Sequence, residues 1–240
     1  MFAIFRKEMA QFFATATGYF VIGLFLVLTG LLLWVFPGEW NVLDSGYAQV
    51  DGLFTLAPWL YLLLVPAVCM RMIAEERRLG TIELLLTKPV TAFSVTLGKY
   101  LAGLSLVILS LLPTVVYFFS VWYLAEPIGN VDSGAYWGSM IGLLLLAMVY
   151  VALSLFASSL SDNQITAFLF AVLLCFTLYA GFDLISSLFA SGSVQSVISF
   201  FGIAAHYDSM SRGVIDLSDV VYLLSVTILF LFLTSLRLRK

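Results

Sequence analysis

Any chemistry in this chain would have to be built from very few residues. There is one histidine, His206; there are two cysteines, Cys69 and Cys175; and the densest group of charges is Glu75-Glu76-Arg77-Arg78. A single histidine cannot supply the H-E-x-x-H pair of a zinc peptidase, and the G-x-S-x-G elbow that exposes a nucleophilic serine does not occur. A phosphate-cradling loop needs Gly-Lys followed by Ser or Thr, whereas the one Gly-Lys pair, Gly98-Lys99, is followed by Tyr100. The Glu75-Glu76 pair invites comparison with intramembrane proteases of E-E-x-x-x-R pattern, but position 80 is glycine. His206, with only Tyr207 and Asp208 beside it, is a poor start for a metal site and is expected at a surface or interface. The cysteines fall in apolar runs and read as small packing residues rather than a disulfide. No catalytic, metal-ligating or cofactor-binding residue is expected, and neither is nucleic-acid binding.

The elements that must position these residues follow from composition. Of 240 residues, 62% are hydrophobic and 10% charged, with a mean hydropathy of +1.08; a soluble domain is roughly 45–50% apolar and about 25% charged. The chain therefore reads as an all-α membrane protein whose unit is the apolar span of about 20 residues. Six such runs occur, at 18–36, 53–72, 94–122, 136–160, 165–182 and 220–236. The third exceeds what a bilayer needs; Pro113 is expected to kink it, and Lys99 in its first turns to snorkel to the interface. Residues 2–13 are too short and too charged to span. They place Phe2, Phe5, Met9 and Phe12 or Phe13 on one helical face, with Arg6, Lys7 and Glu8 elsewhere, as in a helix lying on the membrane surface. A cleaved signal peptide is the weaker reading, because no small-residue cleavage site follows a short apolar core.

With six spans both termini share a side. On that side fall Arg6, Lys7, Arg71, Arg77, Arg78, Lys88, Lys99, Arg237, Arg239 and Lys240, leaving Arg212 as the one base opposite. Lys and Arg are retained in the cytoplasm, so both ends are expected there. The opposite side carries nine acids against that one base, a net of −8. Such a face could attract a cationic solute, although free translocation of Asp and Glu explains it more simply. Asp183, at the outer end of the fifth span, is expected to be an interfacial acid satisfied by water. Gly138 and Gly142 form a G-x-x-x-G pattern suited to close helix contact.

The segment 74–92 interrupts the apolar pattern. Four charges at bilayer depth would cost on the order of 10 kcal/mol, so the segment must leave the membrane. Gly80 and Thr81 supply a turn and a helix start, Glu83 lies near the positive end of the following helix, Lys88 near its negative end, and Pro89 stops it. A helix of about two turns over residues 81–87 is thus predicted, with leucines on more of its surface than one membrane-facing stripe requires.

The run "AEERRLGTIELLLTKPVTAFSVTLGKY" (74–100) resembles the cytoplasmic loop between spans two and three of ABC-2 type transporter permeases, where an acidic pair and basic residues precede Gly-Thr, an acid, leucines and a proline. Residues 20–72, "SSLSDNQITAF" (158–168) and "HYDSMSRGVIDLSDVVYL" (206–223) extend the similarity to the permease of the gliding-motility-associated ABC systems of bacteroidete-type bacteria. The resemblance implies a single six-span domain over residues 1–240, with an interfacial helix at 2–13, a cytoplasmic coupling loop at 74–92 and re-entrant half-helices at 184–205 with Gly192 and Ser193 at their tip. It implies that the short helix docks on a separate ATP-binding subunit through Glu75, Glu76, Arg77, Gly80, Thr81, Glu83, Leu84 and Leu85. ATP would be bound and hydrolysed by that partner. A second permease copy or a related permease, an auxiliary gliding-motility membrane protein and the lipid bilayer complete the implied partners, at the bacterial inner membrane. A membrane scaffold of a motility or secretion complex that moves no solute is the alternative function.

Overall fold

A computed structural model of the protein describes residues 1–86, 90–189 and 192–239, with Leu84–Leu86 described as backbone alone. Among these residues every regular element is a helix. Six stretches are long and apolar enough to cross a membrane: Ala16–Trp34, Asp51–Arg78, Ala92–Leu124, Ser133–Leu160, Gln164–Ser186 and Leu217–Leu238. They coincide with the six apolar runs of the sequence, as expected where a backbone must satisfy its own polar groups within lipid.

The first span is α2 (Ala16–Trp34), preceded by α1 (Phe2–Ala14), and the second is α3 (Asp51–Arg78). After α4 (Thr81–Leu86), the third span divides at Pro113. α5 (Ala92–Leu111) passes through a 3₁₀ turn, Leu112–Thr114, into α6 (Val115–Leu124), because proline lacks the N–H that would continue the ladder. α7 (Ser133–Leu160) is the fourth span. The fifth also contains a break, but a π-helical one: α8 (Gln164–Phe176) widens at Thr177–Gly181 before α9 (Phe182–Ser186). Two short helices follow, α10 (Gly192–Phe200) and α11 (Ile203–Ser211), and then the sixth span, α12 (Leu217–Leu238). Side-chain caps fix several starts: Asp132 accepts from Ala135 N, Asn163 from Ile165 N and Asp216 from Ser218 N.

α7 is the axis of the bundle. In the most apolar stretch of each span, 72% of residues are buried in α7 and 67% in α3, against 22% in α2, the fifth span and α12. The last three therefore present their apolar side chains outward, to lipid or a partner. α7 accepts close neighbours because small residues line it. A β-carbon at Gly138 would collide with the carbonyl of Gly213, and one at Gly142 with Met210 Cβ. The G-x-x-x-G pattern is thus used within the chain, to seat α11 and the turn after it.

The charges sort to two ends. α1, the last turns of α3, α4, the start of α5 and the end of α12 form a basic end; the loops before α3 and α7, with α9, α11 and the start of α12, form an acidic one. Two local expectations need correction, and two are refined. α3 runs on to Arg78, so residues 74–78 are helix and not loop. The buried face of α1 is Ile4, Glu8 and Phe12, with Phe5, Met9 and Phe13 partly buried beside it and Phe2 exposed. Gly192 and Ser193 open α10, directly after the break that separates it from α9, and a second break at Phe201–Gly202 precedes α11. His206 is buried, for reasons given below.

Candidate functional site

The basic end holds a junction of four charges from three separate segments. Lys99, on the second turn of α5, is 1% exposed along its side chain. Its ammonium meets Glu8 Oε1 at 2.7 Å, Glu76 Oε2 at 2.8 Å and Met72 O at 2.7 Å. Two of its donors are hydrogen-bonded, to Glu8 Oε1 and Met72 O, and Glu76 Oε2 adds an ion-pair contact without a hydrogen bond, so the buried ammonium is offset by two carboxylates and a carbonyl. Lys7 completes the group by bonding Glu76 Oε1, with Glu8 Oε1 at 3.6 Å. Burial opposes the Lys7 charge, but the hydrogen bond and attraction of Glu76, with a smaller pull from Glu8, outweigh it and raise its pKa above the ordinary lysine value. Two bases and two acids leave the junction formally neutral.

Local sequence explains the assembly. Ile4, Glu8 and Phe12 are spaced by four, so Glu8 shares the inward stripe of α1. Gly98 lets that stripe approach: a β-carbon there would lie 3.0 Å from Met1 O and 3.1 Å from Ile4 Cβ. Lys99 therefore does not snorkel to water, because α1 covers it and brings a carboxylate to it.

The end of α3 is held from other sides as well. Ser158 of α7 donates to Met70 O and accepts from Ile73 N and Ala74 N, so a hydroxyl is inserted at this turn of the helix. Arg71 donates to Thr15 Oγ1 and stacks over the Phe12 ring at 5.9 Å. Arg77 donates to Arg237 O, linking α3 to the C-terminal carbonyls of α12. The turn into α4 then depends on Gly80, whose φ of +67° is a left-handed conformation that a side chain would strain.

Of the residues singled out in the sequence, Glu75, Glu76 and Thr81 line a cavity of about 190 Å³ together with Lys7, Glu8 and Arg71. Thr81 Oγ1 donates to Glu76 O, and Glu83 projects from α4 into solvent. The side chains of Leu84 and Leu85, together with Lys88 and Pro89, lie outside the described residues. Sequence reasoning missed Lys7, Glu8 and Lys99 as members of the site. The signal was present in Glu8, an acid at the four-residue spacing of Ile4 and Phe12.

A second polar cluster lies at the acidic end. His206 of α11 places Nδ1 2.7 Å from Asp219 Oδ1 and Nε2 2.8 Å from Phe200 O, and its ring stacks on Tyr222 at 3.9 Å. Ser209 donates to Asp219 Oδ2 at 2.6 Å. Ser, His and Asp are all present, but in the wrong order for nucleophilic catalysis. A hydrolase serine gives its proton to the imidazole, whereas here the serine bonds the carboxylate and a backbone carbonyl occupies the free imidazole nitrogen. The cluster ties α10, α11 and α12 together. His206 is buried because both ring nitrogens find partners there. Among the described residues no three His, Cys, Asp or Glu side chains converge as a metal set.

Residues 41–236 match a family described as ABC-2 family transporter protein. No curated protein matches the chain.

Proposed function

Since the chain belongs to the ABC-2 family of transporter proteins, a multi-pass membrane permease family that works with an ABC ATPase subunit, we propose that it is the half through which such a subunit, binding and hydrolysing ATP, drives a substrate across the bacterial inner membrane. Residues 1–240 act as one transmembrane domain. α1 is its interfacial helix, α4 its coupling helix, and residues 184–205 the re-entrant elements of the segment after span five. Both termini are cytoplasmic, so the basic end faces the ATPase. The similarity of residues 20–72, 158–168 and 206–223 to gliding-motility permeases supports a role in surface motility. A second copy, or a related permease, completes the pathway across a two-fold interface.

The observation that carries this reading is the junction of Lys7, Glu8, Glu76 and Lys99 immediately before α4. A push on α4 reaches Glu76 within two turns, and from Glu76 the ion pairs pass to α1 and α5 together. Domain closure in the ATPase thereby biases a two-state arrangement of the spans. Glu75, Arg77, Gly80, Thr81 and Glu83 frame the docking helix, and Leu84 and Leu85 supply its apolar contact.

Co-purification and turnover test the two parts separately. Leu85→Asp should insert in the membrane normally but lose the ATPase subunit, since a carboxylate buried without a partner costs several kcal/mol. Glu76→Gln should keep the ATPase bound while lowering the motility of cells that depend on it. An unchanged yield of complex with Leu85→Asp overturns docking through α4, and normal gliding in cells lacking the chain overturns the motility role.

A further inference from the structure

The acidic end contains a groove of about 360 Å³ between α3, the π-helical turn and α11, lined among others by Thr55, Trp59, Tyr179, Asp183, Tyr207 and Asp208. That volume lies in the range of small-molecule sites, about 300–1,000 Å³. We propose that it binds the ammonium group of a small organic cation.

The groove is built by two irregularities of the bundle. Pro58 lacks an N–H, so the carbonyl of Phe54, four residues earlier, loses its helical donor; the Tyr207 hydroxyl donates to that carbonyl at 2.7 Å and so fixes α11 against α3. The π turn at Thr177–Gly181 presents Tyr179 to Trp59, with ring centroids 5.6 Å apart and planes at 89°. π turns inserted in α-helices concentrate at functional sites. The two rings touch edge to face, and Trp59, 48% exposed, offers the open aromatic surface of the groove to an ammonium.

Charge points the same way. The Asp183 carboxylate makes no ion pair among the described residues. Asp208 is paired with Arg212 at 2.7 Å, but both side chains are about 70% exposed, so the tie is weak. The Tyr179 hydroxyl is a second, independent polar group open to the groove. Tyr179 is 8% exposed, its hydroxyl has no hydrogen-bond partner among the described residues, and both Asp183 and Asp208 lie within Coulomb reach of it. A cation held in the groove against Trp59 would meet Asp183, while a ligand hydroxyl or ammonium N–H would be accepted by Tyr179. An anion would face Asp183 uncompensated.

An ammonium of this kind could come from a free solute or from an ethanolamine lipid headgroup, and binding requires neither ATP nor transport. The test uses the full chain in nanodiscs of phosphatidylglycerol, titrated by calorimetry with choline and with its uncharged isostere 3,3-dimethyl-1-butanol. Choline should bind and the isostere should not. Asp183→Asn and Trp59→Leu should each weaken choline by about tenfold, the scale of one cation–π or charge contact, while Trp59→Phe retains most of the affinity. Repeating the titration in nanodiscs containing phosphatidylethanolamine separates the sources: a fall in choline affinity identifies the lipid headgroup, and an unchanged affinity identifies a free solute, both with the groove occupied by an ammonium. Absence of choline binding, equal binding of the isostere, or indifference to Asp183→Asn and Trp59→Leu overturns the proposal.

Discussion

Lys99 sits where a lysine should be expelled, and it is kept by partners 91 and 23 residues away in sequence. Removing it leaves Glu8 and Glu76, whose side chains are 5% and 12% exposed, with Lys7 alone to oppose two carboxylates. Breaking a buried pair from one side costs about 3–5 kcal/mol, whereas an exposed pair is worth about 0–1 kcal/mol. Lys99→Met should therefore lower the melting temperature of the purified protein well below that of Lys7→Met, whose side chain is 51% exposed. Equal melting temperatures would mean that Lys99 is solvated after all. The error in reading Lys99 as a snorkelling residue has a physical origin. Its neighbours from Ser94 to Leu104 give an isolated lysine in an apolar run, and only the tertiary approach of α1 distinguishes a covered ammonium from a wet one. His206 teaches the same point, since Asp219 and the Phe200 carbonyl that bury it lie outside its local window.

Among the elements, the six spans were legible because each must present about 20 apolar residues to lipid, and the break at Pro113 because proline cannot donate. The π turn at Thr177–Gly181 has no such mark in "TLYAG", and α9 to α11 are too short for periodicity to separate them. For α1 the sequence showed an amphipathic helix, but not that Ile4, Glu8 and Phe12 form the stripe turned to the protein. Its docking depends instead on Gly98. Gly98→Leu adds a side chain where a single β-carbon already lies 3.0 Å from Met1 O, so α1 must leave α5 and carry Glu8 away from Lys99. Trypsin should then cut after Arg6 and Lys7 markedly faster in the variant than in the native protein, with Gly98→Ala between them. Unchanged cleavage would place the hold on α1 elsewhere, at the Arg71 contacts with Thr15 and Phe12.

At the scale of the whole molecule, the two ends differ in kind. One concentrates bases and knots four charges into a neutral junction; the other carries nine acids, one base and an aromatic groove. Because bases near span ends are retained in the cytoplasm during insertion while acids pass more freely, ten bases against one support the proposed orientation, in which the basic end meets the ATPase and the acidic end the outside. Cysteine accessibility reads this directly. The native Cys69 and Cys175 are both fully buried and should stay silent to an impermeant thiol reagent. Cysteines placed at Ser45, in the loop before α3, and at Ser133, the first residue of α7, should label in intact cells. One at Ser161, between α7 and α8 at the basic end, should label only after permeabilisation. Labelling of Ser161 in intact cells would invert the bundle, turning the charge junction outward and the aromatic groove toward the cytoplasm.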